Sequence, residues 1–198
     1  MAPDALPEPV RVALEFTGFL EQLGVAYVVS GSLASSLHGE PRSTNDIDIV
    51  ADLLPEHVAS LAAKLQPAYY VSADSMAEAV RTGASFNAIH LESAIKVDVF
   101  VVGADLFDRE RVNQGLTVRL GEHPQAILRV DRPEFTVLRK LEWFRRGGER
   151  SERRRDILGV LRVQGTRLDQ SLLASWAHQL GVSDLLQRAR QESGGEPS

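Results

Sequence analysis

Arg42-Ser43-Thr44-Asn45-Asp46-Ile47-Asp48-Ile49-Val50 is the stretch that decides how this chain folds. From Asp46 onward polar and apolar residues alternate, the pattern of a half-buried strand. Side chains two apart on a strand share a face, so Asp46 and Asp48 point one way while Ile47 and Ile49 point into a core. Carboxylates held side by side repel each other unless a cation lies between them. Taken alone, Asp-x-Asp fits a solvated strand edge equally well.

Downstream, Lys96-Val97-Asp98-Val99-Phe100 alternates in the same way. If this strand pairs beside the first, Asp98 faces the surface that carries Asp46 and Asp48. A lone acid in an otherwise apolar strand is costly when buried without a partner. Three hard oxygen donors on one surface suit magnesium or manganese rather than zinc. In sites with two such ions the metals lie about 3.5–4 Å apart and clamp a transferring phosphate.

Upstream, Val25-Ala26-Tyr27-Val28-Val29 is a short apolar run that fits a buried strand, and Ser30-Gly31-Ser32 breaks it. Residues 33–37 read as a short helix. A strand turning into a helix presents backbone N–H groups to an anion. Glycine lets phosphate oxygens approach, and the Ser32 hydroxyl adds a donor. A tight turn with a helix-capping serine reads the same way. In this order, a phosphate cradle and a metal site would come next to each other.

The remaining pattern predicts helices over 9–23, 55–65 and 74–82, strands over 85–91 and 94–102, a helical turn over 106–112, and short strands over 116–120 and 126–130. Beyond Pro133 only helices are expected. The fold class is therefore α+β, with a mixed sheet flanked by helices and a C-terminal helical region. The expected divisions are a core over 1–132, helices over 133–192 and a disordered tail over 193–198.

At 198 residues there is room for one substantial domain, or for a core with a small second lobe. A net charge of -5 argues against nucleic-acid binding through overall charge, though not through a local basic patch. With no cysteine, disulfides, thiolate zinc sites and cysteine nucleophiles are excluded. The five histidines, His38, His57, His90, His123 and His178, show no metal-binding spacing. The acidic, proline-rich start is unlike a signal peptide, and no apolar run nears the roughly 20 residues that span a bilayer. The expected location is the cytoplasm, with no membrane partner.

A basic helical hairpin closes the chain: Leu138-Arg139-Lys140-Leu141-Glu142-Trp143-Phe144-Arg145-Arg146, a Gly147-Gly148 break, then 149–161 with Arg153-Arg154-Arg155-Asp156. Solvated helix faces with interspersed Glu142, Glu149 and Glu152 would look the same. Trp143 and Phe144 read as core. Neither His38 nor Glu40 is assigned a role.

Val29-Ser30-Gly31-Ser32-Leu33-Ala34, then Gly39-Glu40-Pro41-Arg42-Ser43-Thr44-Asn45-Asp46-Ile47-Asp48-Ile49, then Val97-Asp98, resembles the DNA polymerase β-like nucleotidyltransferase superfamily. Its hallmark is a Gly-Ser or Gly-Gly turn, a downstream Asp-x-Asp or Asp-x-Glu, and a later single acid. The match spans about residues 25–102. Within it, Arg42-x-Thr44-x-Asp46-x-Asp48 is most similar to small bacterial AbiEii-type proteins, the abortive-infection toxins and their relatives. Those often carry Gly-Gly at the turn, where this chain has Gly31-Ser32.

The resemblance implies transfer of a nucleoside monophosphate from a nucleoside triphosphate to a hydroxyl, with release of pyrophosphate. It implies two magnesium or manganese ions, with Asp46 and Asp48 ligating both. Asp98 would bind the catalytic ion and help deprotonate the acceptor. Gly31 and Ser32 would hold the β- and γ-phosphates. Arg42 and Thr44 would touch phosphate or order the loop, a loop salt bridge being an equal reading for Arg42. By analogy with the toxin-like relatives, Lys140 would meet triphosphate and Asp156 would support the site, while Arg155 reaches outward. The acceptor expected from those relatives is a tRNA or other RNA end, which the basic hairpin favours. Alternatives are a small molecule such as an antibiotic, a protein side chain, a silent nucleotide-binding module, or a component that pairs with a cognate antitoxin.

Overall fold

Apolar residues recur every third or fourth position from Val10 to Leu20, and they form helix α1 (Glu8–Gln22), burying Ala13, Phe16, Thr17 and Leu20. The chain continues through β1 (Tyr27–Ser30), α2 (Gly31–His38), β2 (Asp46–Ala51), α3 (Pro55–Leu65), β3 (Tyr69–Val71) and α4 (Ala73–Thr82). Next come β4 (Ser85–His90), β5 (Lys96–Val101), α5 (Leu106–Asn113), β6 (Leu116–Arg119) and β7 (Ile127–Val130). Four helices close it: α6 (Pro133–Gly147), α7 (Ser151–Gln164), α8 (Gln170–Gln179) and α9 (Ser183–Gly194). The computed structural model describes residues 6–121, 126–147 and 151–194. His123, Gly148 and Glu149 lie outside the described residues. Of the tail expected over 193–198, Ser193 and Gly194 belong to α9, and 195–198 also lie outside the described residues.

Contacts within the chain divide it into two units, Met1–Ser30 with Thr44–Asp131, and Gly31–Ser43 with Arg132–Ser198. The first unit holds a seven-stranded mixed sheet in the order β3-β4-β5-β2-β1-β7-β6. Strand β2 pairs antiparallel with β1 and parallel with β5, so the two alternating strands lie side by side. Their inward residues, Ile47, Ile49, Val97 and Val99, are fully buried. On the other face, Val28 and Val50 form a cluster with Val112 of α5, against which Phe100 packs. The short strand β3 is absent from the sequence pattern. Three residues are too few to show an alternation, and Tyr69 is held there by distant partners. Its ring meets Phe16 edge-on at 5.5 Å and lies 5.1 Å from His90.

In the second unit, α6 buries Phe135, Leu138 and Leu141, and α7 buries Ile157, Val160 and Leu161. The loop after α2 lies against α7 at a point where both chains are bare backbone. A Cβ on Gly39 would stand 2.7 Å from the Val160 nitrogen and 2.8 Å from the Gly159 carbonyl carbon, so only glycine fits. Trp143 departs from the expected core position. It is 45% exposed, and the Arg153 guanidinium lies over its ring at 5.8 Å. At the end of a basic helix the indole has charge rather than core beside it, and the pairing is cation–π. Phe144 is half-buried. Among the described residues no helix is long and apolar enough to cross a membrane.

Candidate active site

The parallel register of β2 and β5 sets Asp46 level with Lys96 and Asp48 level with Asp98. Register partners share a face of a sheet, so the three acids and the lysine stand on one surface. Burial follows the same alternation: Asp46 is exposed, Asp48, Lys96 and Asp98 are half-buried, and their neighbours are buried. Asn87 of β4 is level with Asp98 on one side, and Ser30 of β1 is level with Asp48 on the other.

The acids are on one face but do not form a ready cage. Among the described residues no group of three or more Asp, Glu, His or Cys side chains is set to hold a metal ion. A side-chain cation is there instead. Lys96 Nζ lies 2.6 Å from Asp98 Oδ2 and 3.9 Å from Asp46 Oδ1. Its hydrogen bond to Asp98 raises the Lys96 pKa above the ordinary lysine value, so the ammonium is held charged. Oxygen donors that draw a cation to themselves are chemically suited to a hard divalent ion. Thr44 stays close to this strand, its hydroxyl donating to the Asp46 carbonyl at 2.9 Å.

A second cluster lies in the other unit. Gly31 opens α2 with a φ of +62°, a left-handed conformation that penalises any residue with a Cβ. The next residue, Ser32, accepts a hydrogen bond on Oγ from Arg42 Nη2 at 2.5 Å. Arg42 also grips Asp156 at two points, Nε to Oδ1 at 2.8 Å and Nη2 to Oδ2 at 3.1 Å. Lys140 Nζ donates to the same Oδ2 at 2.7 Å. Four of the residues singled out from the sequence, Ser32, Arg42, Lys140 and Asp156, are thereby joined in one network. Burial alone would raise the Asp156 pKa, but Arg42 and Lys140 outweigh it and hold the carboxyl below its usual range. Arg42 thereby ties the loop after α2 to α7 through an ion pair.

A third group leaves almost no trace in the local sequence pattern. Arg111 of α5 is buried and donates to both carboxylate oxygens of Asp131, to Asp108 and to Ser30 Oγ. Burial would lower the Arg111 pKa, yet Asp131 and Asp108 more than offset it and keep the guanidinium charged. The network pins the end of β1, whose last residue is level with Asp48. Its faint sequence signal is an acid immediately after a buried strand, and nothing in Asp131 itself names Arg111 as its partner.

The basic face of α7 that points away from Asp156 carries Ser151, Arg154, Arg155, Leu158 and Arg162 around an open concavity of about 440 Å³. Arg154 pairs with Glu192, and Arg162 lies 3.7 Å from Glu40.

No protein-family model matches the chain, and no curated protein matches it. Solved structures do. ANT(2'')-Ia in complex with adenylyl-2''-tobramycin aligns with a TM-score of 0.59 at 12% identity, over 87% of this chain and 99% of that one. The antibiotic-resistance factor ANT(2'')-Ia in solution gives 0.55 at 12% identity, over 91% and 97%. An antigenic nucleotidyltransferase-like protein from Paracoccidioides brasiliensis gives 0.55 at 15% identity, over 93% and 92%. At these identities the likeness is one of fold. The chain has a nucleotidyltransferase-like α+β fold, with a mixed sheet flanked by helices and a C-terminal helical region.

Proposed function

We propose that this chain is a metal-dependent nucleotidyltransferase that moves a nucleoside monophosphate from a nucleoside triphosphate to a hydroxyl acceptor. The observation that carries this is the register of β2 and β5, with Asp48 level with Asp98 and Asp46 on the same face. Asp46, Asp48 and Asp98 would hold two magnesium or manganese ions, which supply positive charge at the transferring phosphate. Asp98 takes the proton from the acceptor hydroxyl on a carboxylate oxygen. The acceptor oxygen bonds to the α-phosphorus, the bond from that phosphorus to the β-phosphate bridging oxygen breaks, and pyrophosphate leaves. Gly31 and Ser32 offer an N–H and a hydroxyl to the β- and γ-phosphates. Arg42 and Lys140 supply charge to them, and Asp156 holds both cations in place. Thr44 orders the lead-in to Asp46. Positioning and charge do most of the work in such a transfer.

An RNA end, such as that of tRNA, is the favoured acceptor, in keeping with the AbiEii-type resemblance and with the basic face of α7. A small hydroxylated molecule is the second reading, supported by the fold likeness to ANT(2'')-Ia in its adenylyl-tobramycin complex. The test is incubation with magnesium, each labelled nucleoside triphosphate, and either total tRNA or a pool of aminoglycosides. Label transfer by wild type and its loss in Asp46→Ala/Asp48→Ala is the expected result. No transfer and no pyrophosphate release with any pool would overturn the proposal.

A further inference from the structure

Asp46, Asp48 and Asp98 share a face with a single lysine, and that lysine is placed where it touches acids from both strands. Lys96 Nζ makes a close contact of 2.6 Å with Asp98 and a longer one of 3.9 Å with Asp46. The Asp98 side chain is 22% exposed and that of Lys96 is 42% exposed. A carboxylate with that much shielding feels its acidic neighbours more strongly than a free surface acid would. In the absence of a bound ion, the ammonium is the cation that offsets this repulsion.

We infer that Lys96 is the resident counter-cation of the acid face, held on Asp98 until a divalent ion replaces it, and that it thereby sets how tightly the ion is bound. This rests on the metal-dependent reading of the same face. A divalent ion ligated by Asp98 would stand close to the ammonium already bonded to Oδ2, and the two positive charges repel each other at that range. The flexible four-carbon stem of lysine lets the ammonium swing away without moving β5. The half-exposed position also means that the side chain can be changed without opening a hole in the core. Cation binding at this face is therefore an exchange of one positive charge for another, and the displaced charge stays tethered nearby. Affinity is weakened by the cost of evicting the lysine, and the repulsion among the acids is partly offset when no ion is present.

Manganese binding tests this directly, read from the electron paramagnetic resonance signal of free Mn²⁺ and from the rise in melting temperature that Mn²⁺ causes. Lys96→Met removes the charge and keeps the length, and it should bind Mn²⁺ about tenfold more tightly than wild type. Its melting temperature should be lower without the ion and should rise further when the ion is added. Lys96→Arg keeps the charge and should bind Mn²⁺ much as wild type does. Asp48→Asn should weaken binding in either background. Equal Mn²⁺ affinity in wild type and Lys96→Met, with Asp48→Asn still weakening both, would overturn the role of Lys96 and leave the metal reading intact. Weaker binding by Lys96→Met would overturn it too, since the lysine would then be supporting the ion. No Mn²⁺ bound by any variant at millimolar concentration would overturn both.

Discussion

Arg42 and Asp156 are separated by 114 residues and meet in a two-point ion pair, with N–O distances of 2.8 and 3.1 Å. Asp156 also holds Lys140, so one buried carboxylate serves two cations. Asp156→Ala leaves both cations without their partner and should destabilise the protein by about 3 kcal/mol. Chemical denaturation measures this. Arg42→Ala combined with Asp156→Ala should cost less than the two single changes added together, as expected for groups in direct contact.

Acid should weaken the protein through the same carboxyl. Asp156 is held below its usual range in the folded state, so the unfolded chain takes up its proton first as pH falls. Its stabilising contribution is complete above the unfolded value near about pH 4 and is lost as pH drops through the lower folded value. Unfolding free energy followed from pH 6 down to pH 2 should therefore fall at the acid end. Asp156→Asn should flatten that part of the curve; an unchanged slope would assign the acid sensitivity to other carboxylates.

Lys140 offers its charge to triphosphate under the proposed function. Lys140→Ala should raise KM for the nucleoside triphosphate about tenfold while kcat changes little, the signature of lost ground-state binding. Steady-state kinetics separates the two. A fall in kcat with KM unchanged would move Lys140 from binding to the chemical step.

Gly39 lies against α7 with no room for a side chain. Gly39→Ala would drive a Cβ to 2.7 Å from the Val160 nitrogen, and backbone cannot yield as a flexible side chain can. A loss of about 2 kcal/mol is expected, in the range of overpacked interiors. Gly18, within α1, has nothing within 4 Å of its would-be Cβ. Gly18→Ala should stabilise the protein by about 0.5–1 kcal/mol through helix propensity. Thermal melts of the two variants should shift in opposite directions.

Much of the acid face was legible because alternation is a local property. Asp46, Ile47, Asp48 and Ile49 declare their two sides without reference to any other strand, and Lys96 to Phe100 do the same. Which strands adjoin is a long-range matter, and only the folded chain gives the parallel pairing that sets Asp48 level with Asp98. Lys96 was visible as a residue of that face, but its role as a cation among acids depends on a register no local pattern contains. The link from Arg42 to Asp156 and Lys140 had partial support from the family resemblance and none from spacing. The strand at Tyr69 and the pair Arg111–Asp131 were illegible for the same reason. Each is held by partners remote in sequence, and neither leaves a periodic trace.

The two-residue repeat from Asp46 to Ile49 ties the core of β2 to its acids. The same alternation that buries Ile47 and Ile49 presents Asp46 and Asp48, so a single inserted or deleted residue between Asn45 and Ile49 would send isoleucines to the surface and carboxylates into the core. Substitutions can tune this strand one side chain at a time. A change in its length would remove the buried isoleucine row and the row of acids together.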